Sequence, residues 1–274
     1  MLAVWSVRSV ARTDMLSRDS CEHCPRPPTW QKSYKYAGGE EQSPIDIKQD
    51  AATFDPTLCN NPLVVKYQSE KELEMTNVGS SVKINIKQHS TIKHGPLESE
   101  YRLAQFHYHW GSDSKKGSEH TVDGKTYSAE LHLVHWNENK YSSFEEAVDK
   151  HDGLAVLGIL IKVGKEHDGF KIITDNLNKI KFKGKLIHLK GDYNPQCLLP
   201  KNLSEYWTYH GSLTTPPCYE SITWIVFHEI VEVSEDQVKA LRGMCCDECD
   251  GEHIVNNFRP PLPVGTRRIR SSFE

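Results

Sequence analysis

The sequence predicts a mainly β protein of the α+β class that folds as a single domain. Runs rich in β-branched and aromatic residues dominate the chain, and the segments with helical signals are short. The chain of 274 residues contains no internal repeat, linker or low-complexity tract that would mark a boundary between two domains. A chain of this length can bury a sizeable core.

Strand signals recur along the chain. The segments concerned are rich in valine, isoleucine, leucine and aromatic residues, which suit a pleated and partly buried surface. In chain order, the predicted strands are residues 63–67, 81–86, 105–110, 129–136, 154–163 and 221–233.

Three segments are predicted to form short helices at the periphery. Residues 143–148 and 234–242 each begin with a serine that can cap the first turn, and acidic residues follow it. The second of these helices is expected to end before Gly243. Residues 170–180 are the third predicted helix.

Two histidines on one predicted strand are the first functional signal. In the segment 105–110, His107 and His109 are two residues apart, so their side chains point to the same face. The aromatic residues of this segment point to the other face, where they can pack into a core. Two imidazoles side by side on a buried strand are costly unless their lone pairs are used, and a metal ion is the obvious user.

A second predicted strand offers a third imidazole. In the segment 129–136, Glu130, His132 and Val134 share one face. Glycines in the intervening segment fit a turn, and pairing of the two strands would bring His132 to face His107 and His109. Three neutral imidazoles leave one open position on zinc, which is the catalytic arrangement. The alternative is that these are isolated core or surface histidines.

Composition and charge argue against several classes of partner. The formal net charge of −4 gives no electrostatic reason to expect nucleic acid or an anionic membrane as a partner. No apolar run approaches the length of about 20 residues that spans a bilayer. We therefore expect neither a nucleic-acid partner nor a membrane span.

Residues 1–28 do not share the character of the rest of the chain. Their apolar start is short and is broken by charged residues, so it does not fit the core of a signal peptide. We interpret residues 1–28 as a disordered tail and residues 29–274 as the folded, catalytic domain. A mitochondrial transit peptide is the alternative: the arginines and serines favour it, and Asp14 and Asp19 count against it.

Around and beyond the histidines, the sequence resembles the α-class carbonic anhydrases. The resemblance extends over residues 30–273, in long blocks that follow one another in the family's order. The blocks are residues 42–47, 101–103, 118–123, 153–156, 206–209, 211–217 and 257–260.

The resemblance implies a fold and an activity. The fold is a large, mostly antiparallel, twisted central sheet with short helices and loops outside it. The activity is the reversible hydration of carbon dioxide to bicarbonate and a proton by zinc-bound hydroxide, with the zinc held by His107, His109 and His132. We expect a monomer that acts on this small-molecule substrate. The alternative is a catalytically silent, carbonic anhydrase-related binding module, although such relatives typically lose a zinc ligand and all three are present here.

Further roles around the zinc are implied by the resemblance. Gln105 and Glu130 would each hold the zinc ligand that lies two residues further along the strand, and the backbone carbonyl of Asn257 would hold His109. These three groups are the expected supports of the metal centre.

The catalytic pair implied by the resemblance is Thr214 and Glu119. The buried carboxylate would accept the threonine hydroxyl proton, so the threonine oxygen would in turn accept a hydrogen bond from the hydroxide. Carbon dioxide is apolar and needs an apolar wall. The implied substrate-binding residues are Thr214, Thr215, and the wall formed by Val134, Val156, Leu213, Ile222 and Trp224.

Two departures from the family pattern modify these expectations. Ser80 occupies the position at which the fastest family members carry a histidine that relays the proton to bulk buffer. Serine cannot accept and release a proton at pH 7, so we expect slow internal proton transfer. His210 is expected to face away from the site and not to replace that histidine. The aromatic, glycine-containing segment that usually covers one side of the active-site mouth is also missing or unrecognisable.

The use of cysteine favours a reducing compartment. Secreted members of the family commonly join the segment before Gln42 to the loop after Pro217 by a disulfide. Cys218 occupies the second of these positions, but Ala37 occupies the first. That bridge cannot form, so we expect the protein in the cytoplasm, with mitochondria as the alternative.

A cluster of thiols near the end of the chain raises the question of a second metal site. Cys245, Cys246 and Cys249, with His253, have a spacing that a metal could use, and Cys21 and Cys24 could add to it. The acidic residues around the cluster indicate a solvated loop instead. Exposed, reduced thiols are therefore our interpretation of this cluster.

Overall fold

A computed structural model of the protein describes residues 27–247 and 251–274. The predicted tail lies outside the described residues apart from its last two positions, and so do Cys21, Cys24 and Cys249. Within the described ranges, no helix is both long and apolar enough to cross a membrane.

Strands account for most of the regular structure. In chain order they are β1 Asp46–Ile47, β2 Thr53–Phe54, β3 Val64–Lys66, β4 Glu70–Asn77, β5 Val82–Asn85, β6 Thr91–His94, β7 Leu97–Trp110, β8 Thr121–Val122, β9 Ala129–Trp136, β10 Leu154–Val163, β11 Leu186–Tyr193, β12 Tyr206–Gly211, β13 Ile222–Phe227, β14 Val231–Val233 and β15 Arg270–Ser271. The α-helices are α1 Pro56–Asn60, α2 Phe144–Ala147, α3 Asp168–Thr174 and α4 Glu235–Arg242. Short 3₁₀ turns occur at Pro27–Lys32, Lys35–Gly38, Gln49–Ala51, Leu177–Ile180 and Pro195–Leu198.

One large sheet organises these elements, as the predicted fold class requires. Its main path runs β11-β4-β5-β7-β9-β10-β13-β12-β15-β2, and β3, β6 and β14 attach beside it. Most neighbours are antiparallel, but β10 runs parallel to β13 and β14, and β15 runs parallel to β2. The two short strands β1 and β8 pair with each other separately.

Alternation along the central strands divides the core into two clusters. On β7, Phe106, Tyr108 and Trp110 are fully buried in the larger cluster, as their spacing predicts. On β10, alternate residues such as Leu157 belong to the larger cluster, whereas Val156 belongs to the smaller one. Because side chains on a strand alternate between faces, the two clusters lie on opposite faces of the sheet.

The predicted strand over residues 221–233 is wrong as a single element. The chain forms β13 and β14 instead, and both pair in parallel with β10. The step from Val226 to Val231 faces the shorter step from Gly158 to Ile161 on β10, so the residues between the two strands bulge out of the ladder. A run of β-branched residues marks strand propensity but does not mark such a bulge.

The helices follow the capping signals, with one correction. α2 and α4 begin after Ser143 and Ser234 as predicted, and Ser234 forms a reciprocal capping box with Gln237. The third predicted helix, residues 170–180, is wrong in extent because α3 ends at Thr174 and a 3₁₀ turn follows. The Asn176 side chain donates to the carbonyl of Ile172 at 2.9 Å, and this local bond competes with continuation of the helix.

Candidate metal centre

Pairing of β7 with β9 brings three histidines together. The strands are antiparallel, and His107 lies directly opposite His132 in their register. His109 is two residues further along the same face of β7, so all three rings lie on one side of the sheet. One ring nitrogen from each histidine lies within 4.8 Å of the other two. The alternative of isolated histidines is therefore wrong.

Each of these rings is held through the nitrogen that points away from the group. Nδ1 of His107 lies 3.0 Å from the side-chain oxygen of Gln105, and Nδ1 of His109 lies 2.8 Å from the carbonyl oxygen of Asn257. Nε2 of His132 lies 2.7 Å from a carboxylate oxygen of Glu130. All three partners are acceptors, so these nitrogens carry the protons and the lone pairs lie on the opposite nitrogens.

The donor set fits a zinc ion. Nε2 of His109 and Nδ1 of His132 are 3.1 Å apart. Two nitrogens bound to a tetrahedral zinc at about 2.0–2.1 Å would be about 3.3 Å apart, so little adjustment is required. The three histidines are at most 8% exposed, which excludes bulk water from all but the open side of the centre. Three neutral imidazoles form the set that leaves zinc a position for a further ligand.

Glu130 is the hub beneath the centre. Besides contacting the ring of His132, the Glu130 carboxylate accepts hydrogen bonds from the backbone N–H groups of Glu119 and His120, each at 2.8 Å. Nδ1 of His120 lies 2.7 Å from the same carboxylate, and its Nε2 lies 2.7 Å from the Tyr209 hydroxyl. Burial raises the pKa of Glu130, but electrostatic attraction and hydrogen bonds from the rings of His120 and His132 outweigh this effect and hold that pKa well below its usual range.

His120 is a residue whose role sequence reasoning missed. Its side chain is fully buried, and its ring centroid lies 4.8 Å from the Trp224 ring. It links Glu130 to Tyr209, whose hydroxyl also bonds to Ser43 at 2.9 Å. The available signal was its position directly after Glu119, in a block already recognised as typical of the family.

Arg259 is a second missed residue, and it holds Glu119. Its backbone N–H donates to a carboxylate oxygen of Glu119 at 2.7 Å. Its guanidinium donates to the side-chain oxygen of Gln42 and the carbonyl of Ser43, both at 2.9 Å, and lies over the ring of Trp30. Glu119 is completely buried. Fixing this carboxylate requires segments from three distant parts of the chain, which no local pattern shows.

The residues of the expected apolar wall lie in one cluster. Val134, Val156, Ile222 and Trp224 are each at most 4% exposed, and Leu213 packs against them. Val156 faces Val134 on one side and Trp224 on the other in the sheet register. The Trp224 ring centroid lies 4.8 Å from that of His132, which places this cluster against the three-histidine centre.

The segment that follows β12 carries the expected catalytic threonine. Thr214 is 5% exposed. The backbone carbonyl of Thr215 accepts a hydrogen bond from the Cys218 N–H at 2.9 Å. The segment is held by a hydrogen bond from the Leu213 N–H to the Tyr219 carbonyl at 2.9 Å. These bonds give the turn a defined shape beside the apolar cluster.

Ser80 lies just before β5 and is linked to the three-histidine centre through Asn257. Its side chain is only 6% exposed, and its Oγ makes no hydrogen bond with any residue in the described ranges. Its backbone carbonyl accepts from the Asn257 side chain at 2.8 Å, and the Asn257 carbonyl in turn holds His109. The residue at the expected proton-relay position is therefore a buried hydroxyl tied to the supports of the centre.

The remaining histidines near the sheet do not join the centre. His135, on the opposite face of β9, is buried between the Tyr67 hydroxyl at 2.8 Å and the Ala155 carbonyl at 3.2 Å. Burial lowers the pKa of His135 to about 3, so its ring is neutral. His210 lies on β12 and stacks on His151, with ring centroids 4.0 Å apart.

The thiol cluster differs from its predicted surface exposure. Cys245 and Cys246 are buried, and the backbone N–H of Cys246 donates to the Glu252 carbonyl at 3.0 Å. The segment is drawn inward because Met244 and Ile254 belong to the larger core cluster. The expectation of exposure is therefore wrong for these two residues, and Cys249 lies outside the described residues.

A buried centre of three imidazoles, held on two paired strands and bordered by an apolar wall, defines the protein as a zinc enzyme. Residues 25–273 match the model of the eukaryotic-type carbonic anhydrases. The chain is 46% identical to human (Homo sapiens) carbonic anhydrase 7 over 252 residues, which cover 90% of this chain and 94% of the relative. It is also 46% identical to mouse (Mus musculus) carbonic anhydrase 1 and 42% identical to carbonic anhydrase 1 of Monodelphis domestica, with 90% of this chain and 95% of each relative covered.

The chain belongs to the eukaryotic-type carbonic anhydrase family. It is a zinc-dependent lyase, a carbonate dehydratase, and its substrates are the small molecules carbon dioxide and bicarbonate.

Proposed function

We propose that this chain hydrates carbon dioxide by attack of zinc-bound hydroxide, with His107, His109 and His132 as the zinc ligands. When bound, zinc supplies the Lewis acidity that lowers the pKa of a coordinated water, and carbonic anhydrase itself is the standard example, with a value of about 7. The observation that carries this proposal is that each ring is held by an acceptor on its outer nitrogen, which directs the three lone pairs to one point.

Gln105, Glu130 and the Asn257 carbonyl are the proposed supports of the ligands. Glu130 holds His132 with a charged acceptor, whereas Gln105 and Asn257 offer neutral oxygens to the other two rings. A carboxylate partner makes an imidazole a stronger donor to a metal than a neutral partner does. We therefore assign to Glu130 the largest share in the strength of zinc binding.

Thr214 and Glu119 are the proposed catalytic pair. The Glu119 carboxylate takes its hydrogen bond from the Arg259 backbone at one oxygen, and we propose that it accepts the Thr214 hydroxyl proton at the other. A threonine oxygen that has donated its proton in this way can only accept, so it orients the nucleophile toward the substrate. The Thr214 backbone N–H and Thr215 are the proposed polar contacts of the substrate.

The substrate carbon dioxide is proposed to lie against the apolar cluster beside His132. The wall would consist of Val134, Val156, Leu213, Ile222 and Trp224. An apolar wall holds an apolar substrate and excludes competing water from the side opposite the polar residues. The catalytically silent binding module is the second candidate function, and complete retention of the three histidines argues against it.

Proton release is proposed to be slow within the protein, because Ser80 replaces the histidine expected at the relay position. Its hydroxyl does not titrate near pH 7, and its side chain is almost wholly buried. External buffer would then carry the proton. Carbon dioxide hydration by the zinc-loaded protein, measured by stopped flow over a series of imidazole concentrations, tests both proposals.

Turnover that rises with imidazole concentration is the expected result, since imidazole supplies the missing proton carrier. Fast turnover that is already saturated at low buffer would overturn the assignment of Ser80 while leaving the enzymatic mechanism in place. Stoichiometric zinc without any turnover would favour the binding module instead.

We also propose that the protein acts as a monomer in the cytoplasm, with mitochondria as the alternative compartment. Ala37 packs beside Cys218 and occupies the position of its disulfide partner in secreted family members. The absence of a cysteine at position 37 supports a reducing compartment. Cell fractionation with an antibody against the chain would test the compartment.

A further inference from the structure

A second cluster of metal-binding side chains lies outside the three-histidine centre. Glu41 precedes β1, His151 lies between α2 and β10, and His210 is on β12. One possible ligand atom from each of these residues lies within 4.8 Å of the other two. The cluster shares no residue with the centre that binds the catalytic zinc.

The contact between Glu41 and His210 is not explained by a hydrogen bond. A carboxylate oxygen of Glu41 lies 3.6 Å from Nε2 of His210, which is too long for a hydrogen bond. Two ligands of one tetrahedral zinc ion would be about 3.3 Å apart, because each lies about 2.0–2.2 Å from the metal. The observed spacing is therefore closer to that of two ligands that share an ion.

The imidazole rings of His151 and His210 stack face to face, so their in-plane lone pairs are nearly parallel, and the exposed ring of His151 must turn for both to reach one ion. Their centroids are 4.0 Å apart, and their planes differ by 19°. Nε2 of His210 lies 3.2 Å from the carbonyl oxygen of Glu220, to which it donates. Nε2 is also the nitrogen nearest to Glu41, so binding of an ion there would replace this hydrogen bond and leave the ring proton on Nδ1.

The charges around the cluster favour a cation. Glu41 and Glu220 contribute two carboxylates, and Arg267 is the guanidinium that contacts the same segment, through the His210 carbonyl at 3.2 Å.

The cluster is also open to an arriving ion. His151 is exposed, and the side chains of His210 and Glu41 are 21% and 37% exposed. An ion bound by these three side chains at the surface would complete its coordination with water molecules. Two imidazoles and one carboxylate suit Zn²⁺ and other late divalent transition metals better than Mg²⁺ or Ca²⁺, which prefer oxygen ligands.

We propose that Glu41, His151 and His210 form a second, surface site for a divalent transition-metal ion such as Zn²⁺. This site is separate from the catalytic centre, and its occupation does not depend on carbon dioxide hydration. Because its ligands come from three separate segments, a bound ion would cross-link the residues before β1, the α2–β10 connection and β12.

Calorimetric titration with Zn²⁺ tests the proposal on the full chain. The protein is first loaded with one zinc per chain, and its accessible thiols are alkylated so that cysteines do not compete. We expect one further zinc to bind. His151→Ala, and His210→Gln, which retains a donor for the Glu220 carbonyl, should each weaken this second binding at least tenfold, and Glu41→Gln should weaken it as well.

His89→Ala is the matched control, because His89 is an exposed histidine that contacts a single carboxylate, Glu138, at 2.7 Å. It should leave the second binding unchanged. The first zinc and the hydration activity should be retained in every variant, which shows that each is folded. Absence of a second binding event, or an equal affinity in the His151→Ala/His210→Gln double variant, would overturn the proposal.

Discussion

The acceptors that hold the three histidine rings differ in charge and in the number of donors they serve. The Glu130 carboxylate accepts from two rings and two backbone N–H groups. Gln105, in contrast, bonds to a single ring through a neutral oxygen. Substitution of Glu130 should therefore disturb the centre more than substitution of Gln105.

Glu130→Gln is expected to weaken zinc binding by about 10- to 100-fold. The amide removes the negative charge beneath His132, and its NH₂ group would face N–H donors that now meet a carboxylate oxygen. Competition with a chelator measures the affinity. Glu138→Gln is the control, since Glu138 forms its ion pair with the exposed His89. Equal affinities of Glu130→Gln and the unmodified chain would contradict the proposed support.

Ser80→His is expected to raise turnover at low buffer concentration several-fold and to reduce the response to imidazole. The introduced imidazole would titrate near neutrality, which the serine hydroxyl does not. Ser80→Ala is the matched control and should leave both quantities unchanged, because the Oγ of Ser80 bonds to no residue in the described part of the chain. A large loss of turnover in Ser80→Ala would show that the hydroxyl itself takes part.

At the scale of elements, the cap of α4 also ties this helix to α3. Ser234 accepts from the Gln237 backbone at 3.2 Å, and the Gln237 side chain accepts from the Ser234 backbone at 2.9 Å. The same Gln237 amide accepts from the His167 N–H and donates to the His167 carbonyl, at the residue that caps α3. The Gln237 side chain therefore completes the N-terminal cap of α4 and also holds the backbone of the residue that caps α3.

Two substitutions separate the cap from the link between helices. Ser234→Ala should lower the free energy of unfolding by about 1 kcal/mol, the usual cost of losing a helix cap. Gln237→Ala should cost more, about 1–3 kcal/mol, since it also leaves the partly buried N–H of His167 without its partner, although the His167 carbonyl still accepts from the Lys171 N–H. Urea unfolding of both variants measures the difference, and an equal cost would argue against the link.

The buried side chain of His135 on β9 should make the free energy of unfolding depend on pH. Burial lowers the pKa of this residue from 6.5 to about 3. The unfolded chain thus binds a proton below pH 6.5 that the folded chain does not bind until about pH 3. The contribution of neutral His135 to the free energy of unfolding is therefore fully present above pH 6.5. It is lost by about 1.4 kcal/mol per pH unit as the pH falls from 6.5 to about 3.

His135→Gln should remove this contribution. The difference in unfolding free energy between the original chain and the variant should shrink as the pH is lowered through the window, and urea unfolding at several pH values measures it. Acids and zinc ligands elsewhere titrate equally in both proteins, so they cancel in the difference. Parallel pH profiles would show that His135 does not contribute.

At the scale of the whole molecule, the three histidines of the proposed zinc centre lie on two central strands of a sheet that crosses the protein. β7 and β9 lie in the middle of the main strand path, and β7 ends at Trp110, whose N–H donates to the Asn257 side chain at 2.7 Å. The centre thus connects the sheet with the C-terminal segment. Ligands that bind only the folded state stabilise it by mass action.

Removal of zinc should therefore lower the melting temperature of the whole chain in one cooperative step. At free zinc about a thousandfold above the dissociation constant, bound metal adds about 4 kcal/mol to the free energy of unfolding. Thermal unfolding of the chelated and the reloaded protein measures the change. Reloading with Mg²⁺, which prefers oxygen ligands, is the control and should not restore stability. Identical melting of the chelated and zinc-loaded protein would contradict the proposed centre.

Much of the fold class and the three-histidine group could be predicted from sequence, because a strand has a strict period of two residues. This period placed His107 and His109 on one face and their aromatic neighbours in the core. It also paired Glu130 with His132. Resemblance to a family indicated the Asn257 carbonyl as the support of His109 and led to the proposed pairing of Thr214 with Glu119, although no local pattern connects these residues.

The tertiary structure alone decided the contacts between segments far apart in the chain. It showed that Arg259 holds Glu119, that His120 shares Glu130 with His132, and that the run after Ser221 divides into two strands. These features depend on strand order, bulges and loop paths, which place residues together after pairing is complete. The convergence of Glu41, His151 and His210 has the same origin: each is unremarkable in its own segment, and only the packing of three segments makes a site.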